Sequence, residues 1–350
     1  MQTNLKADSV RIVNINVWFG LEPRGIFKFK EYEKSEKRRL RFQHLTAGLK
    51  ELSPDIIGIQ EANKLPGYAN RLAGALDYDA VWRAANVGIK LFGLGIPYNF
   101  TAGNAVLAPR AYNLRYLGAC HLSGWGLQHK YVSFHFRENR DAVAALLTIR
   151  GRRLIVFNTH THYSLISNQN LLDVLDDMAR QGEISAGQKT DILNQIEAAR
   201  KRREQEITRL LRFVQDTVKV HNYPYIIMGD FNTTMASPAL QNLVLQLGLQ
   251  DAYRLKNPTA TGYTWDPSKN TNTAYDGSPF RPDGVTPKEP LKKLAALFDR
   301  NEARRIDFLF LSYQFKPDMI QKAELVFTEP RDGIFVSDHF GLEVMLAGIP

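Results

Sequence analysis

Short runs rich in Ile, Val, Leu and Phe recur along the chain, each closed by a polar or turn-forming residue. They are RIVNINVW from Arg11, DIIGIQ from Asp55, NAVLAP from Asn104, AVAALLTI from Ala142, RLIVFNTH from Arg153, YIIMGDF from Tyr225, RIDFLFLS from Arg305 and FGLEVML from Phe340. Runs of this length and apolarity read as buried strands. Two helical patterns lie between them. One spans about Lys34 to Leu52, with Leu40, Leu45, Leu49 and Leu52 three to five residues apart, and Ser53-Pro54 ends it. The other spans about Thr190 to Lys219, with Ile192, Ile196, Ala199, Ile207, Leu210, Leu211 and Val214 on one face. Its opposite face carries Arg200, Lys201, Arg202, Arg203, Arg209 and Arg212 and reads as a solvated helix face. Two sheets packed face to face, with helices flanking them, would bury this many strands.

The chain has 350 residues, 44% of them hydrophobic, which is enough apolar material for one large core. No linker-like stretch or fixed repeat divides it, so residues 1–350 are read as a single α/β domain. An irregular excursion at about 251–301, rich in Pro, Gly, Asn and Thr, interrupts the pattern. A connection of that length in a compact domain tends to be functional. The lone Cys120 rules out an internal disulfide framework and a cysteine-rich metal site, which leaves metal chemistry to carboxylates and imidazoles. The N-terminus lacks a charged-then-apolar signal pattern and no apolar run reaches membrane-spanning length, so a soluble chain is expected. A secreted mature form and peripheral association with membranes both stay open. Lys and Arg number 45 against 36 Asp and Glu, a formal charge of +9 that favours an anionic partner, nucleic acid or a phospholipid surface. No obligate protein partner is indicated, and a monomer is expected.

The polar residues that close the strands are of one kind. In order they are Asn14 and Asn16, Glu61, Asn158, His160 and His162, Asp230 and Asn232, Asp307, and Asp338 with His339. Singly, each has an ordinary reading as a solvated strand terminus, a turn cap or a surface histidine. Together they supply carboxylates, amides and imidazoles without a serine or cysteine nucleophile. Carboxylates and amides suit a hard divalent cation, and an imidazole backed by a carboxylate can take a proton from water. Asn and a further His can donate to phosphate oxygens. This set fits metal-assisted phosphodiester hydrolysis.

Asn16, Gln60-Glu61, Asn158-Thr159-His160, Gly229-Asp230-Phe231-Asn232, Arg305-Ile306-Asp307 and Ser337-Asp338-His339 stand in an order and spacing that resemble the endonuclease/exonuclease/phosphatase superfamily. The likeness to this deoxyribonuclease I-like group runs from about residue 9 to 348. It implies a four-layered α/β sandwich, with two mixed β-sheets packed face to face and helices outside. It further implies Glu61 as the main Mg²⁺ ligand, with Mn²⁺ as a substitute, Asn16 beside it and Asp338 close to the ion. His339 would be the general base, Asp307 would hold His339, and Asp230 would orient the nucleophile. Asn232 and His160 would bind the scissile phosphate. His162 has two readings, a contact near the leaving group and a plain surface residue.

Within the superfamily, Trp18 with Gly20, the Thr159 to His162 stretch, SDHFGLE from Ser337 and DAYRLKNPTATGYTWD from Asp251 are similar to the neutral sphingomyelinase branch. That likeness implies hydrolysis of sphingomyelin to ceramide and phosphocholine, with His162, Tyr263 and Trp265 at the substrate rim. IKLFGLGIPYNF, from Ile89 to Phe100, reads either as a loop entering the membrane interface or as a buried strand and turn. The alternative is a nuclease or other phosphoesterase acting on DNA, RNA or a phosphorylated small molecule, supported by the net charge and the basic helix.

Overall fold

The computed structural model describes residues 9–19, 21–24, 28–31, 35–86, 90–91, 94–95, 101–128, 132–165, 168–275, 294 and 302–350. One sheet has the strand order β15 (Ile320–Val326), β16 (Gly341–Leu346), β1 (Val10–Asn16), β4 (Ile56–Asn63), β8 (Ala102–Pro109) and β5 (Tyr78–Asn86). The other runs β13 (Gln250–Asp251), β14 (Asp307–Leu311), β12 (Tyr225–Asp230), β11 (Arg152–His160), β10 (Val132–Ile149), β6 (Lys90–Leu91) and β7 (Leu94–Gly95), with β9 (Arg115–Gln128) paired to β10. A separate hairpin joins β2 (Leu21–Arg24) to β3 (Lys28–Glu31). Both large sheets are mixed: β1 and β4 are parallel, as are β11 and β12, while β16 and β14 run antiparallel to their neighbours.

Helices cover the outer faces. Strand side chains alternate between two faces, and the core divides accordingly. Val10, Ile12, Ile56, Val106, Leu154, Val156, Ile226, Met228, Leu309, Leu342 and Val344 fill the space between the sheets. The other parity of the first sheet, including Val13, Ile15, Ile57 and Ile59, packs on α1 (Ser35–Leu52) and α2 (Gly67–Leu76) through Leu45, Leu49, Ala69 and Leu72. The other parity of the second, including Ile155, Phe157, Ile227, Phe308 and Phe310, packs on α4 (Ala186–His221) and α5 (Pro238–Leu247). The result is the four-layered α/β sandwich expected. Two further helices are α3 (Gln169–Arg180) and α6 (Ala252–Lys256).

The strands and the two helices lie where the apolar pattern puts them, with one informative extension. Helix α4 starts at Ala186, ahead of the expected Thr190, because Ser185 and Gln188 form a reciprocal capping box there. Its basic run is not the uniform solvated face that the spacing suggests. Arg203 is buried against Ser164 Oγ at 2.6 Å and Arg209 reaches the Leu122 carbonyl at 2.5 Å. Arg200 is paired with Glu197 and Glu204 on its own helix.

In the excursion, residues 251–275 are described, and they pack back on the sandwich through the paired backbone of Trp265 and Arg304. Residues 276–293 and 295–301 lie outside the described residues. Of the Ile89 to Phe100 stretch, only the backbone of β6 and β7 is described, so neither reading of that loop meets the structure. Among the described residues, no helix is long and apolar enough to cross a membrane.

Gly229 shows how tightly the sheet constrains the chain next to the polar strand ends. Its φ is +150°, and a Cβ there would stand 2.0 Å from the Thr159 carbonyl oxygen of neighbouring β11. Backbone cannot yield as a flexible side chain does. Gly229→Ala is therefore expected to cost roughly 3 kcal/mol or more, read as a lowered urea midpoint; a variant of wild-type stability would contradict this packing.

Candidate active site

The parity that builds the core also gathers the polar residues. On β1 the inter-sheet face reads Ile12, Asn14, Asn16; on β11 it reads Leu154, Val156, Asn158, His160; on β12 it reads Ile226, Met228, Asp230. Each face turns from apolar to polar at the C-terminal end of its strand. Antiparallel β14 supplies Asp307 at its start, so the acid lies at the same end. Register completes the row: His160 is the strand partner of Asp230, and Asp230 is the partner of Asp307.

Behind this row an amide network ties the sheets together. Gln60 Nε2 donates to Asn14 Oδ1 at 2.8 Å and to Asn158 Oδ1 at 2.6 Å, and Asn158 Nδ2 donates to the carbonyls of Ile59 and Ala105. All three side chains are buried, so these bonds replace lost hydration and hold the two layers in register.

Asp230 lies at the centre. Its Oδ2 receives Asn16 Nδ2 at 3.1 Å and faces His160 Nε2 at 3.4 Å and His339 Nε2 at 3.8 Å, while its Oδ1 accepts the Asn232 backbone N–H at 2.8 Å. Burial and the facing carboxylate of Asp307 raise its pKa to about 6, against the opposing pull of His339 and of the bonds from Asn232 and Asn16. Two like charges directly opposed across a ladder are unfavourable. His339 offsets them: its Nδ1 is 2.8 Å from Asp307 Oδ2, which leaves Nε2 on the Asp230 side. Burial alone would lower the pKa of His339, but the carboxylates of Asp307, Asp230 and Asp338 outweigh it and hold the imidazole well above its usual value.

Glu61 stands nearby on an irregular piece of β4. The pairing with β8 shifts between Ile59 and Ala62, and Glu61 has φ of +59°. A non-glycine residue in the left-handed region is strained, and such strain concentrates at functional sites. Trp18 and Asn232, at +48° and +47°, flank the same centre. Glu61 Oε2 accepts the Phe19 N–H at 3.2 Å, and Oε1 is 3.9 Å from His160 Nε2. Burial raises its pKa despite the cations of Arg140 and His339.

His160 is held by Arg140, whose Nη1 lies 2.9 Å from Nδ1, and by Asn232 Nδ2 at 3.0 Å from Nε2. Asn16 uses its oxygen to accept the Trp18 N–H at 2.9 Å. Asp338 is buried beside His339 and accepts from Ser337 Oγ at 3.1 Å. His162 is placed differently from the others, since its backbone N–H donates to Glu206 of α4 at 2.6 Å. Trp265 is only 5% exposed and meets the His339 ring edge-on at 5.1 Å, so it backs the imidazole, not an open rim; Tyr263, two residues earlier, is exposed.

Several contributors were not singled out from the sequence. Arg140 is buried on β10, just ahead of its apolar run. Arg41, buried on α1, donates to the carbonyls of Val17, Trp18 and Val336 and so clamps the two loops that carry Asn16 and His339. Thr264 Oγ1 accepts the N–H groups of Ile306 and Asp307. The asparagine-arginine-aspartate triplet at 139–141, at the foot of an apolar run, was a usable signal for Arg140; Arg41 looked like any arginine of a basic helix.

Asp230, Asp307 and His339 offer ligand atoms all within 4.8 Å of one another, which is metal-like spacing. The hydrogen bond at Nδ1 and the facing carboxylate at Nε2 suit the same trio to handling a proton. The oxygen donors of Glu61, Asn16 and Asp338, with no thiolate, are the better match to a hard divalent cation. A desolvated carboxylate such as Glu61 gains most from a cation beside it.

A family model described as the Endonuclease/Exonuclease/phosphatase family matches residues 13–341. No curated protein sequence matches the chain. Among solved structures it is similar to D. rerio TDP2 complexed with single-strand DNA product, at 18% identity and TM-score 0.55, with 96% of this chain and 98% of that one covered. It is similar also to the human Nocturnin catalytic domain with bound sulfate anion (14%, TM-score 0.53, 96% and 93% covered). A third is the endonuclease/exonuclease/phosphatase from Bacteroides vulgatus (17%, TM-score 0.54, 97% and 98% covered). At these identities the likeness establishes the shared fold.

Proposed function

Because the chain belongs to the endonuclease/exonuclease/phosphatase family, we propose that it hydrolyses a phosphodiester at the centre formed by Glu61, His160, Asp230, Asp307 and His339. The supporting observation is the His160, Asp230, Asp307 row with His339 held on Asp307 at 2.8 Å. His339 Nε2 takes the proton of the attacking water, and Asp307 fixes the tautomer and stabilises the imidazolium that results. Asp230, facing Nε2, accepts the second hydrogen of that water and aligns it. Asn232 Nδ2, His160 and, through His160, Arg140 meet the phosphoryl oxygens as charge builds on them. Glu61, Asn16 and Asp338 would hold a divalent cation, Mg²⁺ in this reading with Mn²⁺ as a substitute. When bound, the cation supplies polarisation of the phosphoryl group and neutralises developing charge.

Two substrate classes meet this chemistry, and a specific observation separates them. Arg38, Arg39 and Arg71 line the space on the α1 side of Glu61. They attract phosphate and repel the quaternary ammonium of phosphocholine. We therefore favour a nucleic acid or phosphorylated small molecule over sphingomyelin, whose support is the sequence likeness around Trp18, Thr159 to His162 and Asp251. The test is parallel hydrolysis of plasmid DNA, a single-stranded oligonucleotide, bis(4-nitrophenyl) phosphate, sphingomyelin vesicles and phosphatidylcholine vesicles, each with Mg²⁺ and with EDTA. Metal-dependent cleavage of the first three is expected. Phosphocholine release from sphingomyelin with inert DNA would transfer the substrate to lipid, and silence toward every diester would overturn the proposal.

A further inference from the structure

A cavity of about 440 Å³ opens beside Glu61, between the loop after β1 and the helices α1 and α2. That volume falls within the range of small-molecule sites. Glu61 stands at its edge and is the one carboxylate among the described residues that line it, against Arg38, Arg39, Arg41 and Arg71. The cavity is therefore continuous with the reacting centre yet opposite to it in charge.

Two of these four arginines, Arg41 and Arg71, lie over aromatic rings. The Arg71 guanidinium lies 4.0 Å over Phe42 and 5.9 Å over Tyr68, and those two rings pack edge-to-face at 5.2 Å. Arg41 lies 4.6 Å over Trp18 while its nitrogens hold backbone carbonyls. Stacking fixes the plane of a guanidinium and directs its N–H edge sideways, the geometry that receives two oxygens of one phosphate. Tyr68 adds no charge: burial pushes its hydroxyl up to about 12, although Arg41 and Arg71 oppose the shift.

Resting on the phosphoesterase reading above, we infer that this cavity is a second anion site, which holds a non-scissile phosphate of the substrate on a moiety of small-molecule size. Arg71 and Arg38 grip that phosphate, and the aromatic walls keep the solvent-facing Arg71 in place. The site makes the protein selective for substrates with two phosphates, one presented to His339 and one to α1 and α2.

The test compares two ligands that differ by one phosphate, adenosine 3′,5′-bisphosphate and adenosine 5′-monophosphate. Calorimetry in EDTA measures both, so that no turnover intervenes, on the wild-type chain and on Arg71→Gln and Arg38→Gln. The bisphosphate is expected to bind wild type about tenfold more tightly, the worth of one charge-assisted bidentate contact, and each variant is expected to narrow that gap. Equal affinity of the two ligands for wild type, or a gap that persists in both variants, would overturn the inference. Hydrolysis of bis(4-nitrophenyl) phosphate with Mg²⁺ is measured alongside. Loss of that activity with the affinity gap intact would count against the phosphoesterase reading and not against the second site.

Discussion

His339→Ala is expected to lower single-turnover hydrolysis of bis(4-nitrophenyl) phosphate by roughly 10²- to 10⁴-fold, the range of general acid–base catalysis. His339 is buried, held at Nδ1 by Asp307, and faces Asp230 with Nε2. Three carboxylates raise its proton affinity, so its neutral form is a stronger base but is reached only at higher pH than for an ordinary histidine, and the hydrolysis rate is expected to rise with pH through that range. The same carboxylates make the substitution structurally demanding, because without the imidazole Asp230 and Asp307 oppose each other across the ladder with nothing between them. His339→Gln keeps a hydrogen-bonding group at that point and is expected to lose activity as severely with a smaller change in melting temperature. Activity near wild type in both variants would remove His339 from the mechanism.

Glu61→Gln is expected to raise the Mg²⁺ concentration that gives half-maximal activity by about 100-fold or more, since even partners that merely orient a ligand are worth 10- to 100-fold in metal affinity. The argument rests on where the carboxylate is held. A strained backbone at φ +59° and an interrupted β4–β8 pairing aim it at the centre, and burial leaves it short of solvation that a cation would supply. The amide of Gln keeps the shape and loses the charge. An unchanged metal requirement would mean that the cation is held elsewhere.

Much of this centre was legible in the chain because strand geometry has a period of two. Once Ile12, Leu154, Val156, Ile226 and Met228 are read as one buried face, the same parity carries Asn16, His160 and Asp230 to its end. The approach of Asp307 and His339 from later strands follows from apolar runs that begin immediately after them. What parity does not reveal is contact between elements distant in sequence. Arg41 looks like one of several basic residues on a helix, and only the folded chain brings it onto Val17 and Val336, 24 and 295 residues away. The basic run of α4 misleads for a related reason. Arg203 shares a helix with solvated arginines but is drawn inward by Ser164, and Arg209, although exposed, bonds the Leu122 carbonyl of a neighbouring strand. Trp265 is placed at a substrate rim by the likeness to the neutral sphingomyelinase branch, with a packed excursion as the other reading; in the fold its backbone pairs with Arg304 and its ring meets His339 edge-on, a contact between segments distant in sequence.

The central claim is a division of labour: Glu61 with Asn16 and Asp338 holds the cation, and His339 with Asp307 and Asp230 handles the proton. Electron paramagnetic resonance of Mn²⁺ titrated into the wild-type, Glu61→Gln and His339→Ala chains tests it without reference to any substrate. The expected result is binding weakened about 100-fold or more by Glu61→Gln and nearly unchanged by His339→Ala. If His339→Ala abolished Mn²⁺ binding while Glu61→Gln kept it, the Asp230, Asp307 and His339 cluster would be the metal site, and His339 would no longer be available as the base.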